Sequence, residues 1–325
     1  MTIDFGWFLP TMGDTDTIGP PTREATADYL VQVAKAAEDA GFVAPPIAAK
    51  MSNTLDQLTQ GRVLINVVTG GFPAELAADG DFVEHDERYA RTQEFMQVVR
   101  KAWLAEKRFN HEGRFYHVEG GMVLPKPYQQ PCPPFYFGGA SEAARRVGAE
   151  EADVYLLWGE TLDMVRERIA DMRTRAAAIG RTLRFGMRIH VIVRETEEEA
   201  WAAADRMIAD IPDNFQDMMD RIMTKSDSEG EKRQRMMAKE SESLVLGPNL
   251  WSGIGQARIG VGTALVGSGE NVAARLQEYV DEGIDTFILS GYPHLEEAQR
   301  FGRYVMPHFE GSRTLPAAPR DAVPA

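Results

Sequence analysis

Short apolar runs alternate with longer helical patterns along this chain, and this alternation constrains its fold more than any other feature. Such runs indicate parallel strands, because a helix carries the chain back between two strands that point the same way. The predicted strands are Phe5–Leu9, Val63–Val68, Pro134–Phe137, Val154–Trp158, Phe185–Val193 and Thr286–Ser290. The predicted helices are Arg23–Ala40, Ile47–Leu58, His85–Ala105, Leu162–Ala178, Glu197–Ile211 and Val272–Glu282. The 325 residues suit a single α/β domain, a TIM-type (β/α)8 barrel.

Six parallel strands are too few for an eight-stranded barrel, and the shortage has a location. The helix that ends near Phe42 is followed almost at once by Pro45 and a second helical pattern. A regular barrel would have a strand, a helix and another strand there. Either the barrel is incomplete, or a β-α-β segment after Phe42 is missing from the sequence. An open barrel would expose two apolar strand edges, which favours the missing segment.

The sequence predicts one barrel domain over residues 1–311 and a flexible tail over 312–325, where prolines and alanines recur. Residues 212–260 are predicted to be an insertion before the last strand. Within it, Met218–Glu242 is rich in charge and methionine and has the run Ser226–Gly230 in its middle. This stretch is either a lid over the barrel mouth or a solvated helical excursion.

Composition excludes several classes of function. The net charge of -14 argues against a nucleic-acid surface, which needs clustered lysines and arginines. The lone Cys132 excludes an intramolecular disulfide and fits a reducing compartment. The sequence shows neither a secretory signal nor an apolar run of about 18 residues, so we expect a cytoplasmic protein without a membrane segment. His111, His117 and His308 lack the spacing of metal ligands, so no metal is expected.

The strand Phe185–Val193 carries the most informative residues of the chain. Side chains alternate between the two faces of a strand, so five apolar residues share one face while Arg188 and His190 share the other. Burying a fixed cation beside an imidazole is costly without partners. An anionic ligand would supply such a partner, which makes this pair a candidate catalytic site.

Two glycine-containing turns follow predicted strands and therefore fall at the carboxyl-end rim, where the active sites of such barrels gather. The turn at 136–141 opens a helix, and its backbone N–H groups and serine hydroxyl can hold a phosphate. Its glycines can equally serve a tight turn alone. The turn at 66–71 offers small polar groups to a flavin or sugar edge. The cofactor candidates in the two turns are Asn66, Thr69, Gly138, Gly139 and Ser141.

Five further side chains are placed near the rim by the predicted elements. His85 and Tyr89 stand four residues apart at the start of a helix and share a face, either to contact a cofactor or as part of ordinary capping. Trp158 ends a strand and either fills the core or walls a pocket. Arg258 lies in a glycine-bearing loop and reaches either a ligand or solvent. Tyr292 follows the last strand and belongs to the rim.

Several motifs together match a known family along nearly the whole chain, from Ile3 to about Phe309. The motifs are the runs Phe5–Thr11, Leu55–Arg62, His85–Tyr89, Tyr136–Gly139, Arg188–Thr196, Pro248–Trp251 and Phe287–Ala298. In this order they resemble the FMNH2-dependent alkanesulfonate monooxygenases of the bacterial luciferase-like superfamily. The neighbouring sulfoquinovose monooxygenases, which act on a sulfosugar, are similar enough to stay open. Met12 and Asp14–Thr17 depart from the alkanesulfonate pattern and favour a larger or more polar sulfonate.

The resemblance implies a two-component flavoprotein monooxygenase of sulfur metabolism. A separate NAD(P)H-dependent flavin reductase would supply FMN as FMNH2, and O2 would be the co-substrate. The reaction implied is desulfonation, in which cleavage of a carbon–sulfur bond releases sulfite and an aldehyde. The resemblance also implies a homo-oligomer, either a dimer or a tetramer.

The same resemblance assigns roles to individual residues. Arg188 and Arg258 would bind the sulfonate oxygens, since a guanidinium stays charged and donates two parallel hydrogen bonds. His190 would relay a proton, and Tyr292 would donate to a developing oxyanion. The substrate wall would be formed by Trp158 and Trp251. The implied cofactor-binding residues are Asn66, Thr69, His85, Tyr89, Gly138, Gly139 and Ser141. The family's pocket cysteine has no counterpart here, because Cys132 lies in an unrelated loop.

Two other functions stay open at this point. An F420-dependent dehydrogenase or another flavin oxidoreductase on the same barrel would move hydride without oxygen, and the fold alone does not exclude it. The paired arginines argue against it. A non-catalytic protein that binds flavin or a sulfonate would keep those arginines but tolerate the loss of His190. Oxygen-dependent sulfite release distinguishes these possibilities.

Overall fold

The computed structural model describes residues 4–7, 45–209, 211–212, 221, 225–239, 241, 243–257 and 262–309. The strands are β1 Asp4–Trp7, β2 Ile65–Val67, β3 Phe109–Glu112, β4 His117–Gly121, β5 Phe135–Gly138, β6 Val154–Trp158, β7 Arg184–Arg194, β8 Val245–Gly247, β9 Leu250–Trp251, β10 Ala264–Ser268 and β11 Thr286–Ser290. The α-helices are α1 Pro45–Thr59, α2 Pro73–Ala78, α3 His85–Leu104, α4 Glu142–Glu151, α5 Leu162–Ala178, α6 Glu197–Ala209, α7 Glu229–Lys239, α8 Ile254–Ala257, α9 Gly269–Glu282 and α10 His294–Tyr304. The predicted helix Arg23–Ala40 and the join after Phe42 lie outside the described residues.

Seven of the described strands run parallel in one sheet. Hydrogen-bonded neighbours follow the order β2, β5, β6, β7, β11 and β1. The seventh, β10, pairs with β7 over His190 to Arg194, beyond the stretch from Arg184 to Arg188 that pairs with β6. Strand β7 has 11 residues and is therefore long enough to take two neighbours in succession.

Strand β10 corrects the prediction of six parallel strands. Its sequence, Ala-Leu-Val-Gly-Ser, is short and half made of small residues, so it lacks the strong apolar signal of the other strands. The insertion at 212–260 consequently precedes the last two strands rather than the last one. Its end is also part of the sheet, because β8 and β9 form a hairpin whose strand β9 pairs antiparallel with β10.

The hydrophobic core lies on the side of the sheet that the helices cover. As predicted, the apolar face of β7 is buried there, together with Ile169 and Met172 of α5 and Leu276 of α9. Burial of each large aliphatic side chain stabilises the fold by about 1.5–3 kcal/mol. These contacts fix the orientation of β7, so its other face is left for polar groups.

Most of the predicted elements within the described residues are confirmed. Strands β6 and β11 and helix α5 have the predicted bounds. The antiparallel hairpin β3–β4 was not predicted, because its strands, Phe-Asn-His-Glu and His-Val-Glu-Gly-Gly, contain no apolar run. None of the described helices combines the length and the apolar composition needed to cross a membrane.

Candidate active site

Strand β7 brings Arg188 and His190 to one face of the sheet, as the alternation predicts. In the parallel pairing, Arg188 stands opposite Trp158 of β6, and His190 stands opposite Ser290 of β11. Paired residues on neighbouring strands point to the same side of a sheet. The face away from the helix-covered core therefore gathers an indole, a guanidinium, an imidazole and a hydroxyl near the carboxyl ends of three strands.

The imidazole of His190 is held from two directions. It is 1% exposed, and Ser290 Oγ lies 2.9 Å from Nε2 and 3.2 Å from Nδ1. The ring of Tyr292 stacks on it with centroids 5.6 Å apart and planes 20° apart. His294 meets the Tyr292 ring edge-on at 4.8 Å. Because its orientation is fixed, His190 can hold or transfer a proton with little rearrangement.

The two tryptophans assigned to the substrate wall have different surroundings. Trp158 is partly exposed, and the start of α7 packs on its indole: a methyl group added to Gly230 would lie 3.9 Å from two ring carbons. Trp251 is 2% exposed and belongs to a buried cluster that includes Ile192 and Tyr292. Trp158 therefore borders the rim, whereas Trp251 supports the position of Tyr292.

A second polar group lies where β5 ends. Ser141 caps helix α4, its Oγ accepting a hydrogen bond from Ala144 N at 3.2 Å. Burial raises the pKa of the Tyr89 phenol, outweighing the opposite effect of the neighbouring Ser141 hydroxyl. The phenol is therefore protonated and can donate. Two hydroxyls and a helix N-terminus thus meet at one point, a donor set suited to an anion.

The remaining cofactor candidates lie around this group at unequal distances. The His85 ring meets the Tyr89 ring edge-on, with centroids 5.0 Å apart. Thr69 Oγ1 lies 3.1 Å from Thr92 Oγ1, which ties the loop after β2 to helix α3. Asn66 is exposed on β2. The structure thus brings His85 and Tyr89 together directly and Thr69 indirectly.

Gly138 and Gly139 are required by packing at the end of β5. A Cβ atom at Gly138 would lie 2.6 Å from Leu156 O, and one at Gly139 would lie 2.5 Å from Ala144 Cβ. Neither neighbour can move freely, because one is backbone and the other belongs to a helix. Gly138 therefore lets strand β6 come close to β5, and Gly139 lets the N-terminus of α4 come close to the end of β5, in support of the turn interpretation.

Part of the insertion lies across the rim beside both polar groups. We call residues 225–239 the lid segment. Ser226 Oγ and Asp227 N both donate to Gly71 O, at 2.9 and 3.1 Å, which joins the segment to the loop after β2. The Asp227 carboxylate also pairs with Arg88, which is buried on α3 one residue before Tyr89.

Helix α7, the second half of the lid segment, is fixed to the end of β6. Arg233 donates two parallel hydrogen bonds to the Glu160 carboxylate, at 2.9 Å from Nε and 2.8 Å from Nη2. Gln234 Nε2 donates to Gly159 O at 3.2 Å. The lid segment therefore links the loops after β2 and β6, which is the position that the lid interpretation requires.

Sequence reasoning missed Ser290, Glu160 and Gln234 as residues of this rim. A serine that ends a strand and a glutamine on a charged helix have no distinctive spacing, so no local signal marks them. For Glu160 the only available signal was its position two residues after Trp158. Arg258 lies outside the described residues, so its assignment stays a prediction.

Comparison with known proteins identifies the family of this chain. A protein-family model described as Luciferase-like monooxygenase matches residues 42–286. That span includes Tyr89, Ser141, Trp158, Arg188, His190 and the whole lid segment, and it ends at the first residue of β11, before Ser290.

Solved structures share the fold. A long-chain alkane monooxygenase (LadA) has 24% sequence identity over 84% of this chain and 68% of its own, with a TM-score of 0.64. A riboflavin lyase (RcaE), solved with modified FMN and riboflavin, has 20% identity over 82% and 67%, with a TM-score of 0.60. An F420-dependent secondary alcohol dehydrogenase has 17% identity over 94% and 88%, with a TM-score of 0.61. The predicted luciferase-like α/β barrel fold is confirmed.

Proposed function

Because the chain belongs to the Luciferase-like monooxygenase family, we propose that it is a two-component flavin monooxygenase acting on an organosulfonate. It would use FMNH2 and O2 to cleave the carbon–sulfur bond and release sulfite and an aldehyde or other carbonyl product. A separate NAD(P)H-dependent flavin reductase would supply the reduced flavin. The organic part of the substrate would be either an alkane or a sulfosugar such as sulfoquinovose.

One observation carries the proposal: Arg188 and His190 share a face of β7 at the rim, between Trp158 and Ser290. A guanidinium matches the oxygens of a sulfonate, because it donates two parallel hydrogen bonds and stays charged at any physiological pH. A buried imidazole two residues away can handle the proton that the reaction releases. Anion binding and proton transfer are thus available on one rigid strand.

The residues at the end of β5 fit the phosphate of FMN. The hydroxyls of Tyr89 and Ser141 and the N-terminus of α4 offer neutral donors to a phosphate monoester. When bound, FMNH2 supplies the reaction with O2, which no side chain can perform. Thr69 and His85 would complete the cofactor side of the rim.

The protein's own groups would act on the sulfonate side. Arg188, with Arg258, would orient the sulfonate, and Tyr292 would donate a hydrogen bond to a developing oxyanion. His190 would accept or return a proton at Nε2 or Nδ1. The lid segment would exclude water from the rim and so prevent side reactions with water during the reaction with O2.

The direct test is sulfite release by the purified protein, supplied with an independent flavin reductase, FMN, NADH and air. We expect sulfite from at least one member of a panel that contains alkanesulfonates and sulfoquinovose. Omitting the reductase or the oxygen should abolish the signal. A folded protein that releases no sulfite from any substrate would overturn the proposal.

The role of Arg188 is tested by Arg188→Ala. We expect kcat/KM for sulfite release to fall at least 100-fold, roughly the value of a bidentate charged contact, while the affinity for FMN is kept. Arg184→Ala is the matched control on the same strand, because Arg184 is exposed and pairs with Asp285 at 3.0 Å. Loss of FMN binding in Arg188→Ala would instead assign this residue to the cofactor phosphate.

A second candidate is an F420-dependent oxidoreductase on the same barrel. The likeness to the F420-dependent alcohol dehydrogenase extends over more of both chains than the other two likenesses described above, which supports this candidate. It would transfer hydride without oxygen, so anaerobic reduction of F420 by an alcohol would identify it. The requirement for oxygen therefore distinguishes the two candidates: the FMN reaction needs oxygen and the F420 reaction does not.

A further inference from the structure

The inner face of the lid segment carries two buried hydrogen-bond acceptors that lack donors. Gln234 is 7% exposed and Glu231, one turn earlier on α7, is 5% exposed. Within the part of the chain that the structure describes, Gln234 Oε1 and Glu231 Oε2 have no hydrogen-bond partner. Buried acceptors of this kind are rare, because losing contact with water without a replacement donor destabilises the fold.

A flip of the Gln234 side-chain amide, which exchanges Oε1 and Nε2, would not supply the missing hydrogen bond. Gln234 Nε2 donates to Gly159 O at 3.2 Å. Turning the amide over would place its oxygen against that carbonyl oxygen and leave two acceptors facing each other. The orientation is therefore determined, and the free acceptor is Oε1.

The Gln234 side chain lies close to the part of β7 that carries Arg188 and His190, with its Oε1 against Gly262, two residues before β10. Gly159 N donates to the backbone oxygen of Arg188 at 2.9 Å. Gly159 therefore connects the Gln234 amide to the backbone of the β7 arginine through two hydrogen bonds. Thr263 Oγ1 donates to the same Gly159 O at 2.8 Å, and Thr263 O accepts from His190 N at 3.1 Å. Gln234 therefore stands where the ends of β6, β7 and β10 meet.

Glu231 extends the acceptor surface away from this point. It lies three residues before Gln234, so the two side chains share one face of α7. Gly230, next to Glu231, packs on the indole of Trp158. The start of α7 thus borders Trp158, which the proposed function assigns to the wall around the organic part of the sulfonate.

We propose that Gln234 and Glu231 accept hydrogen bonds from hydroxyl groups of the substrate, so that the enzyme prefers hydroxylated sulfonates to alkanesulfonates. This inference rests on the proposed function, since it takes the sulfonate at Arg188 as given. An alkane chain would leave both acceptors buried and without donors, and a site built to bind a hydroxyl rejects the analogue that lacks it. A hydroxylated chain satisfies them.

The preference is measured with two pairs of substrates that have equal carbon number. The first pair is sulfoquinovose and 1-hexanesulfonate, and the second is 2-hydroxyethanesulfonate and ethanesulfonate. In at least one pair, we expect kcat/KM for sulfite release to be at least 100-fold higher for the hydroxylated member. Equal or better turnover of both alkanesulfonates would overturn the inference while leaving the proposed function intact.

Gln234→Met tests the residue itself, since methionine keeps the length of the side chain and removes its polar end. We expect the preference to fall at least 10-fold, through a loss on the hydroxylated substrate alone. Gln277→Met is the matched control, because Gln277 is an exposed glutamine on α9 that bonds Asp281 at 2.9 Å. An unchanged preference in Gln234→Met would assign these acceptors to structural packing and overturn the inference.

Binding measurements separate the inference from the reaction. If no substrate yields sulfite, calorimetric titration of the FMN-loaded protein with both members of each pair still measures the preference, and equal affinities would overturn it. The FMN affinity of Gln234→Met is measured in the same way. A weakened FMN affinity with an unchanged substrate preference would show that the acceptors serve the ribityl hydroxyls of the cofactor, which also overturns the inference.

Discussion

The β3–β4 hairpin and the lid segment are both additions to the alternating barrel pattern, and they hold their buried carboxylates in opposite ways. In the hairpin, Glu94 of α3 accepts hydrogen bonds from His111 Nε2 and from the backbone N–H groups of Arg114, Phe115 and Tyr116, at 2.9–3.0 Å. In the lid segment, Glu231 keeps one oxygen without a donor among the described residues. The protein itself thus satisfies the Glu94 carboxylate, whereas within the described part of the chain it leaves one oxygen of Glu231 without a donor, as the proposed contact with a substrate hydroxyl requires.

The direction of each pKa shift agrees with this difference. Burial alone would raise the pKa of Glu94, but the hydrogen bonds from His111, Tyr116 and Phe115 outweigh it and hold that pKa below its ordinary value. Burial raises the pKa of Glu231, and the neighbouring Ser226 hydroxyl offsets it only in part. The hairpin thus stabilises the charged form of its carboxyl, whereas the lid segment disfavours it.

The largest effect is expected from Glu94→Ala. This change leaves three backbone N–H groups and an imidazole without their acceptor, so the free energy of unfolding should fall by about 3 kcal/mol. Urea denaturation measures it. Glu119→Ala is the control in the same hairpin, because Glu119 is exposed and pairs with His117 in solvent, and we expect no measurable change. A loss as small as that of the control would make the hairpin a loosely attached element.

A smaller and more local effect is expected from Arg233→Met. The change removes both hydrogen bonds to Glu160, whose carboxylate is largely buried. Discounted for the partial exposure of Arg233, the loss should be about 2 kcal/mol and confined to the lid segment. Hydrogen exchange should therefore accelerate over 229–239 while the hairpin stays protected.

Lys232→Met is the control for this experiment. Lys232 lies on the outer side of α7 and pairs with Glu229 at 2.6 Å, with both side chains about half exposed. Exchange over α7 should be unchanged. If Arg233→Met accelerates exchange in the hairpin as well, the hairpin and the lid segment unfold as one unit, and the prediction of a local effect is wrong.

The sequence predicts the fold well where the periodicity is strong, and the two additions show where it fails. Strand β7 was predicted with its buried face correct, because five apolar residues at alternating positions of a strand must pack against helices. The hairpin was missed because Glu94 and its donors are separated by about 20 positions and form a contact that no local pattern records. Gly113 belongs to the same contact, since a Cβ there would lie 1.9 Å from Glu94 Oε1.

The candidate site shows the same limit. Arg188 and His190 could be identified from a spacing of two on one strand. Ser290 could not, because its relation to His190 depends on β7 and β11 being neighbours. Gln234 could not be identified either, because its relation to the site depends on the packing of α7 against the loop after β6. Chemistry that lies on one element is thus predictable, whereas chemistry that joins elements requires the tertiary structure.

The smallest and most discriminating effect is expected from Glu231→Gln, which keeps the shape and an acceptor but removes the ionisable proton. A group whose folded-state pKa is raised contributes stability that is complete below its unfolded pKa and is lost as the pH rises through the folded value. Glu231→Gln should therefore stabilise the protein at pH 8, and this gain should shrink towards pH 4. Glu94→Gln should instead destabilise the protein at neutral pH, and this loss should shrink only as the pH falls below about 4.3, because the folded-state pKa of Glu94 lies under that ordinary value.

Urea denaturation of both variants from about pH 2 to pH 8 measures these opposite slopes, since the Glu94 contribution changes only below the ordinary glutamate pKa. A stabilising Glu231→Gln would mean that the wild type retains an unfavourable carboxyl in its lid segment, which is what a residue selected for binding rather than for folding should show. If Glu231→Gln destabilises the protein at pH 8 as Glu94→Gln does, the Glu231 carboxylate is satisfied in solution. The contrast between the two additions would then be lost, and with it the argument that Glu231 awaits a hydroxyl donor.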